Sequence, residues 1–227
     1  DDCTMKFQYH GHQPVELMTG KVEILQIENP SVNTELIQGL QGYNDCLRMI
    51  DDEYQELNLS KVMKWEGDLV LNPTKLDSYQ TSLDKMIVKN LSIEKQDRMN
   101  DLAREIYSEM QDSLFEFDLP LEVRYDESLL RLYKYAKIKY LTQVIRQPYG
   151  IIETNLKLHL ELKDCQVLGY CNVANYLLPE QIQEFATLVE KTELAVLLVE
   201  FSEKRETLQQ LKQDIYRIDR DFVDWHE

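Results

Sequence analysis

Long apolar runs, phosphate-binding glycine loops and positive charge are all missing or scarce in this 227-residue sequence. No apolar run approaches the ~20 residues of a membrane span, and no leader pattern opens the chain, so the sequence gives no sign of a membrane protein. Four cysteines, Cys3, Cys46, Cys165 and Cys171, lack metal-ligand spacing. In a chain this long they read as the reduced thiols of a cytoplasmic protein. Neither G-x-x-x-x-G-K-[ST] nor G-x-G-x-x-G occurs. The first apolar strand runs into NPSVNTELIQGLQG, which has no lysine and places its glycines too far along to cradle phosphates. The four histidines form no triad: His10 and His12 would share one side of a strand with no third ligand near, and an exposed hairpin is the plainer reading. Basic residues number 25 against 41 Asp and Glu, giving a net charge of −16 and a sequence pI near 4.7. Taken alone, that balance argues against nucleic acid and anionic membranes as partners.

What is present changes its hydrophobic period twice. Met5 is the first plausible start, so residues 1–4 are expected to lie outside the fold proper. MKFQYHGHQPVELM alternates around a His-Gly turn and predicts a β-hairpin. KVEILQIEN (21–29) predicts a strand, and Pro30 opens a helix expected over 31–51. GDLVLNP (67–73) is a second short apolar run. From Lys75 to about Lys163 the pattern is helical throughout, with Leu76, Tyr79, Leu83, Met86 and Ile87 at helical spacing, then Met99, Leu102, Ile106 and Met110. FDLP (117–120) interrupts it. Strands return at 164–173, 194–201 and 214–222, with a helix over 179–192. Near-continuous apolar strands in strand–helix–strand order imply an α/β fold with a mostly parallel sheet covered on both faces. The expected organisation is an α/β head from 5–74 and 163–227, with an α-helical leg inserted over 75–162.

One stretch runs against the overall charge. Residues 128–152, SLLRLYKYAKIKYLTQVIRQPYGII, hold five Lys or Arg and no acid. Wound as one helix, Arg131, Tyr135, Lys139, Thr142 and Arg146 share a narrow stripe, with Leu129, Leu132, Ala136, Tyr140 and Val144 roughly opposite. Ile138, Leu141 and Ile145 form a second apolar edge beside Lys134. Such a stripe is either a solvated face, a partner for acids of the preceding helix, or a set of phosphate contacts; local charge decides which surface meets DNA. Just upstream, Glu116, Asp118, Glu122, Asp126 and Glu127 surround the helix break. Five carboxylates this close are paired, solvated, or gathered on a hard cation such as Ca²⁺, although there is no D-x-D-x-D-G pattern.

The order of elements resembles the CRISPR-associated accessory protein family of type II-A systems that is specific to spacer acquisition. The likeness is carried by VLGYCNVANYLLPEQIQEFATLVEKTELAVLLVE, which has that family's strand, loop, helix and strand. AVLLVE (195–200) matches its apolar strand ending in Glu, DIYRIDRDFVDW its final aspartate-rich strand, and LEVRYDESLLRLYKYAK its acidic-then-helical segment. The resemblance covers most of residues 15–227. It implies a head related to P-loop ATPase folds but without the Walker motif, and a homotetrameric ring around double-stranded DNA loaded from free ends. It further implies no enzymatic activity, bound Ca²⁺, and work alongside the CRISPR adaptation integrase and the effector nuclease. Carried onto this chain, Glu116, Asp118, Glu122, Asp126 and Glu127 become the expected calcium ligands. Arg131, Lys134, Lys137, Lys139 and Arg146, with Lys85 and Lys89 of the preceding helix, become the expected DNA-binding residues. Arg124 departs from the pattern, standing where a carboxylate is expected. Two other readings stay open at this point: a degenerate nucleotide-binding enzyme, and a scaffold whose basic stripe docks an acidic protein.

Overall fold

The computed structural model describes residues 4–202 and 214–226, so Cys3 lies outside the described residues. The hairpin forms as the alternation predicts: β1 (Thr4–Tyr9) pairs antiparallel with β2 (Val15–Met18), placing Phe7 opposite Val15. β3 (Val22–Ile27) follows and leads to Asn29, whose Oδ1 accepts from the backbone N–H of Ser31 at 2.9 Å and of Val32 at 3.2 Å. With that cap and Pro30 at its first turn, α1 (Pro30–Leu40) starts where the sequence puts it. It does not continue to residue 51. Gly42 takes φ +79° and its N–H bonds back to Gly39 O, closing the helix, and the side chain of Asn44 donates to Glu35 O. The chain leaves this turn as β4 (Leu47–Ile50), which pairs with β1, and then β5 (Glu56–Leu57). A single turn, α2 (Leu59–Val62), leads into β6 (Met63–Gly67), so the strand precedes the apolar run at 67–73 and Asp68–Asn72 form a turn after it.

The helical stretch is broken more often than its periodicity suggests. After a 3-10 turn (Pro73–Tyr79) come α3 (Gln80–Lys89), α4 (Ile93–Leu114), an irregular segment, α5 (Leu129–Ala136), α6 (Thr142–Ile145) and α7 (Pro148–Leu162). β7 (Val167–Cys171), α8 (Pro179–Val189), β8 (Ala195–Phe201), β9 (Ile215–Ile218) and β10 (Asp224–His226) complete the chain. Two compact units result, one from residues 1–76 with 141–227 and one from 77–140. The segment 141–162, assigned to the leg on its helical pattern, therefore lies with the α/β unit. The reason is burial: Ile151, Ile152, Asn155, Leu156, Leu158 and His159 of α7 are all inaccessible.

The α/β unit is built on a six-stranded sheet of order β10-β9-β3-β8-β7-β6, parallel except for β10. β8 is buried from Ala195 to Glu200 without a break, as a parallel strand covered on both faces must be. One face meets the antiparallel sheet β2-β1-β4-β5 and α1, where Phe7, Leu17 and Met49 pack with Leu25, Ile27, Leu36, Leu197 and Val199. On the other, Phe185 of α8 meets the Tyr170 ring edge-on at 6.2 Å, and Asn155 of α7 accepts from the Tyr170 hydroxyl at 2.7 Å. In the second unit, α5 packs on α3 and α4, and its Leu129 is buried.

Polar groups enter this core with partners. Arg217 bonds Glu28 at 3.2 Å and stacks over Trp225. Glu200 is 2% exposed and accepts from the backbone N–H of Val173 and Ala174, but its Oε1 has no partner among the described residues. Burial pushes its carboxyl from the ordinary 4.5 up to about 8, with Asp68 adding to the shift.

Two outcomes follow from this packing. A Cβ at Gly150 runs into the backbone oxygen of Val144, which cannot yield without parting α6 from α7. Gly150→Ala is expected to lower stability by about 1–3 kcal/mol, less the gain of about 1 kcal/mol from alanine's helix propensity, as read by urea unfolding. An unchanged midpoint would contradict the contact. Glu200 is protonated in the native state over a range where the unfolded chain has already ionised. Its contribution to stability therefore falls as pH climbs from about 4.5 to about 8, by at most ~1.4 kcal/mol per pH unit, and levels off above. Glu200→Gln should match the parent near pH 5 and exceed it increasingly toward pH 8; a gap independent of pH would show that Glu200 does not titrate there.

Candidate functional site

The basic run does not form one helix. α5 ends at Ala136, Lys137 takes the left-handed conformation at φ 51°, and helix resumes only for the four residues of α6. Residues 137 and 141–144 are exposed, so a continued helix there would have few buried contacts to hold it, and most helical stability in proteins comes from such packing. Arg131, Tyr135, Lys139, Thr142 and Arg146 are all exposed, yet they do not share a helix face, and Arg146 belongs to the other compact unit. Lys85 and Lys89 are exposed on α3. Arg131 pairs with Asp126. Lys85, Lys89, Lys134, Lys137, Lys139 and Arg146 make no ion pair among the described residues.

The five carboxylates all lie on the segment between α4 and α5. Glu116, Asp118, Glu122 and Glu127 are exposed, and Asp126 is half-buried. Arg124 binds Glu122 at 3.2 Å, while Asp126 accepts from the Ser128 N–H at 2.9 Å and pairs with Arg131. No three of these five bring carboxylate oxygens within 4.8 Å of one another among the described residues, so they do not stand as a preformed cation cage. The segment that carries them is held to α4: the Val123 N–H donates to Gln111 Oε1 at 2.7 Å, and Tyr125 meets Tyr107 edge-on at 5.1 Å.

The most developed polar constellation is one that motif reading passed over. His159 is fully buried on α7, with Nε2 3.3 Å from Glu66 Oε1 of β6 and Nδ1 2.7 Å from Asp164 Oδ1. Glu66 is held further by Asn155 Nδ2 at 3.2 Å and by Lys75 Nζ at 3.7 Å. Burial alone lowers the histidine's pKa; the hydrogen bonds and charges of Glu66 and Asp164 outweigh it and raise the pKa above the ordinary value. The available signal was the spacing of Asn155 and His159, two polar residues one helical turn apart among Ile151, Ile152, Leu156 and Leu158. His12, by contrast, is taken up by Asp224 at 2.6 Å and stacks on Tyr9, while His10 is exposed.

A family model described as CRISPR-associated protein (Cas_Csn2) matches residues 42–222. No curated protein matches the chain. Among solved structures, the chain is similar to the crystal structure of Stu0660 of Streptococcus thermophilus, with a TM-score of 0.55 at 12% identity over 98% of this chain and 76% of that one. That likeness is one of fold. A bacterial Atm1-family ABC exporter with ATP bound scores 0.43 at 12% identity, covering all of this chain and 39% of that one. The ADP conformation of MJ1267, an ATP-binding cassette of an ABC transporter, scores 0.45 at 11% identity over 96% of this chain and 88% of that one. Scores this low lend nothing to a nucleotide-binding reading. The family match, by contrast, takes in most of the 227 residues, both sides of the helical insertion and the buried strands β7, β8 and β9: the chain belongs to the CRISPR-associated Cas_Csn2 family.

Proposed function

We propose that the protein is a non-enzymatic double-stranded DNA-binding subunit needed for acquiring new CRISPR spacers, working as a homotetrameric ring loaded from DNA ends. The observation that supports it most is the set of exposed cations without ion-pair partners among the described residues, Lys134, Lys137 and Lys139 foremost, in a 25-residue run free of acid within a chain of net charge −16. Unpaired, solvated lysines are what a sequence-independent phosphate surface requires, since each phosphate contact releases counterions. Self-association is supported by α4, whose Leu102, Ile106 and Met110 recur every fourth residue yet remain 49%, 54% and 53% exposed. The sequence pattern marks them as a core stripe, and a second copy of the chain would cover it. Symmetry would then repeat the lysines around one channel and leave acids outside.

Calcium enters this reading through donor chemistry alone. Glu116, Asp118, Glu122, Asp126 and Glu127 offer only hard oxygens on an exposed segment, which suits Ca²⁺. An ion would draw Asp126 and Glu122 from their arginine partners and screen the mutual repulsion of the set. The adaptation integrase and the effector nuclease are the proposed partners in acquisition.

Linear and covalently closed circular duplexes of equal length, each with Ca²⁺ or chelator, test the reading. Expected is salt-sensitive binding of the linear form only, weakened by chelation. Binding to neither form at low salt would remove the DNA function and leave the basic run as a protein-docking face. In Lys137→Glu/Lys139→Glu, affinity should drop at every sequence, and the slope of log K against log salt should shrink by about 2, with the oligomeric state unchanged. An unaltered slope would take these two lysines off the DNA.

A further inference from the structure

Beyond the Glu66 interaction, the other side of the His159 ring faces a set of unlike donors. A ring nitrogen of His159, a carboxylate oxygen of Asp164 and the Cys165 sulfur all lie within 4.8 Å of one another, the single such group of three among the described residues, and His159 Nδ1 is 2.7 Å from Asp164 Oδ1. Each is a good ligand for a borderline-soft divalent ion and together they are a poor set for Ca²⁺, which takes oxygen. The geometry points to a Zn²⁺-type site at the turn between α7 and β7, with His159, Asp164 and Cys165 as protein ligands and water in the fourth position.

The surroundings match what such an ion needs. A metal-bound imidazole donates its far N–H to a carboxylate, which fixes the ring and its tautomer. Here Glu66 Oε1 sits 3.3 Å from Nε2, and Glu66 is itself held by Asn155, whose Oδ1 accepts from Tyr170. The ring is therefore aimed by a buried relay that reaches β7, while Nδ1 is left pointing at the turn. Access comes from the opposite side, since Asp164 is exposed and Cys165 half-buried. Lys163, in the left-handed conformation at φ 52°, ends α7 and brings Asp164 and Cys165 back toward the histidine.

Ligation is a simple exchange. The ion takes the place of the proton between Nδ1 and Asp164 Oδ1 and of the proton on Cys165 Sγ, and both protons leave to solvent. Two ligand atoms on a tetrahedral zinc stand about 3.3 Å apart, given arms of about 2.0 Å. The present separation of Nδ1 and Oδ1 is 2.7 Å, so the partly exposed Asp164 side chain must swing out by roughly half an ångström. Burial, with Asp164 beside it, pushes the Cys165 thiol up to about 12 and Lys64 offsets this only in part, so the ion must displace a firmly held proton. The other described cysteines do not compete: Cys46 hydrogen-bonds Glu35 O, and Cys171 lies near Asp68 and Glu200 with no histidine at hand. The bound ion would clamp the α7–β7 turn to β6 through His159 and Glu66, independently of any DNA contact.

Cobalt binding tests this on the whole 227-residue chain. One equivalent of Co²⁺ per chain should give the visible bands of a four-coordinate ion and a near-ultraviolet thiolate charge-transfer band. Excess Zn²⁺ should abolish both, and excess Ca²⁺ neither. Cys165→Ser should lose the charge-transfer band and Cys171→Ser keep it, with far-ultraviolet circular dichroism confirming that both fold. Glu66→Gln, which preserves volume but weakens the hold on Nε2, should reduce Zn²⁺ affinity about 10- to 100-fold. Zn²⁺ should raise the unfolding temperature of the parent, less so in Asp164→Asn. No charge-transfer band, a band that survives in Cys165→Ser, or displacement by Ca²⁺ would each overturn the site.

Discussion

The α/β unit depends on burying two parallel strands, β3 and β8, on both faces at once. A parallel pair cannot be closed by a short turn, so the chain must travel far between them and return with covering layers. One layer is the antiparallel sheet with α1, and the other is α7 with α8. The same constraint explains why residues 141–162 belong with the sheet. A helix carrying Ile151, Ile152, Leu156 and Leu158 has nowhere else to place its apolar face. It also explains the buried polar relay, because any side chain that points from α7 toward the sheet loses water and must find a partner there. Asn155 finds Glu66 and Tyr170, and His159 finds Glu66 and Asp164.

Electrostatics add a second organising constraint. A net charge of −16 repels polyanions at long range, but screening at physiological salt confines each surface to its neighbours within about 8 Å. Local composition then decides. Arginines near the acidic segment are used internally, Arg124 on Glu122 and Arg131 on Asp126, whereas the lysines that follow are left to solvent. The guanidinium's fixed fork suits carboxylate pairing, and the flexible ammonium suits a surface that meets phosphates without fixed register.

Some elements were legible because local chemistry and burial agree. The hairpin alternation, the Asn29–Pro30 helix start and the apolar β8 appear where pattern places them, and the helix expected over 179–192 forms over Pro179–Val189. Others were not. The helix expected over 31–51 stops at Leu40 because Gly42 and Asn44 offer a local closure, and the following residues are claimed by β1. The stripe from Arg131 to Arg146 assumes an unbroken helix, and periodicity cannot report that the chain turns at Lys137. The apolar repeat of Leu102, Ile106 and Met110 looked like core but stays exposed within its own unit.

By itself the sequence determined the parallel α/β class, the helical insertion, the missing phosphate loop and the positive run, because each is a property of near neighbours along the chain. Which distant residues meet was decided only by the tertiary structure. Glu66 and His159 are 93 positions apart, and nothing in either local segment specifies the other. They meet because β6 and β7 pair in parallel while α7 covers them, and burial then compels their polar groups to bond.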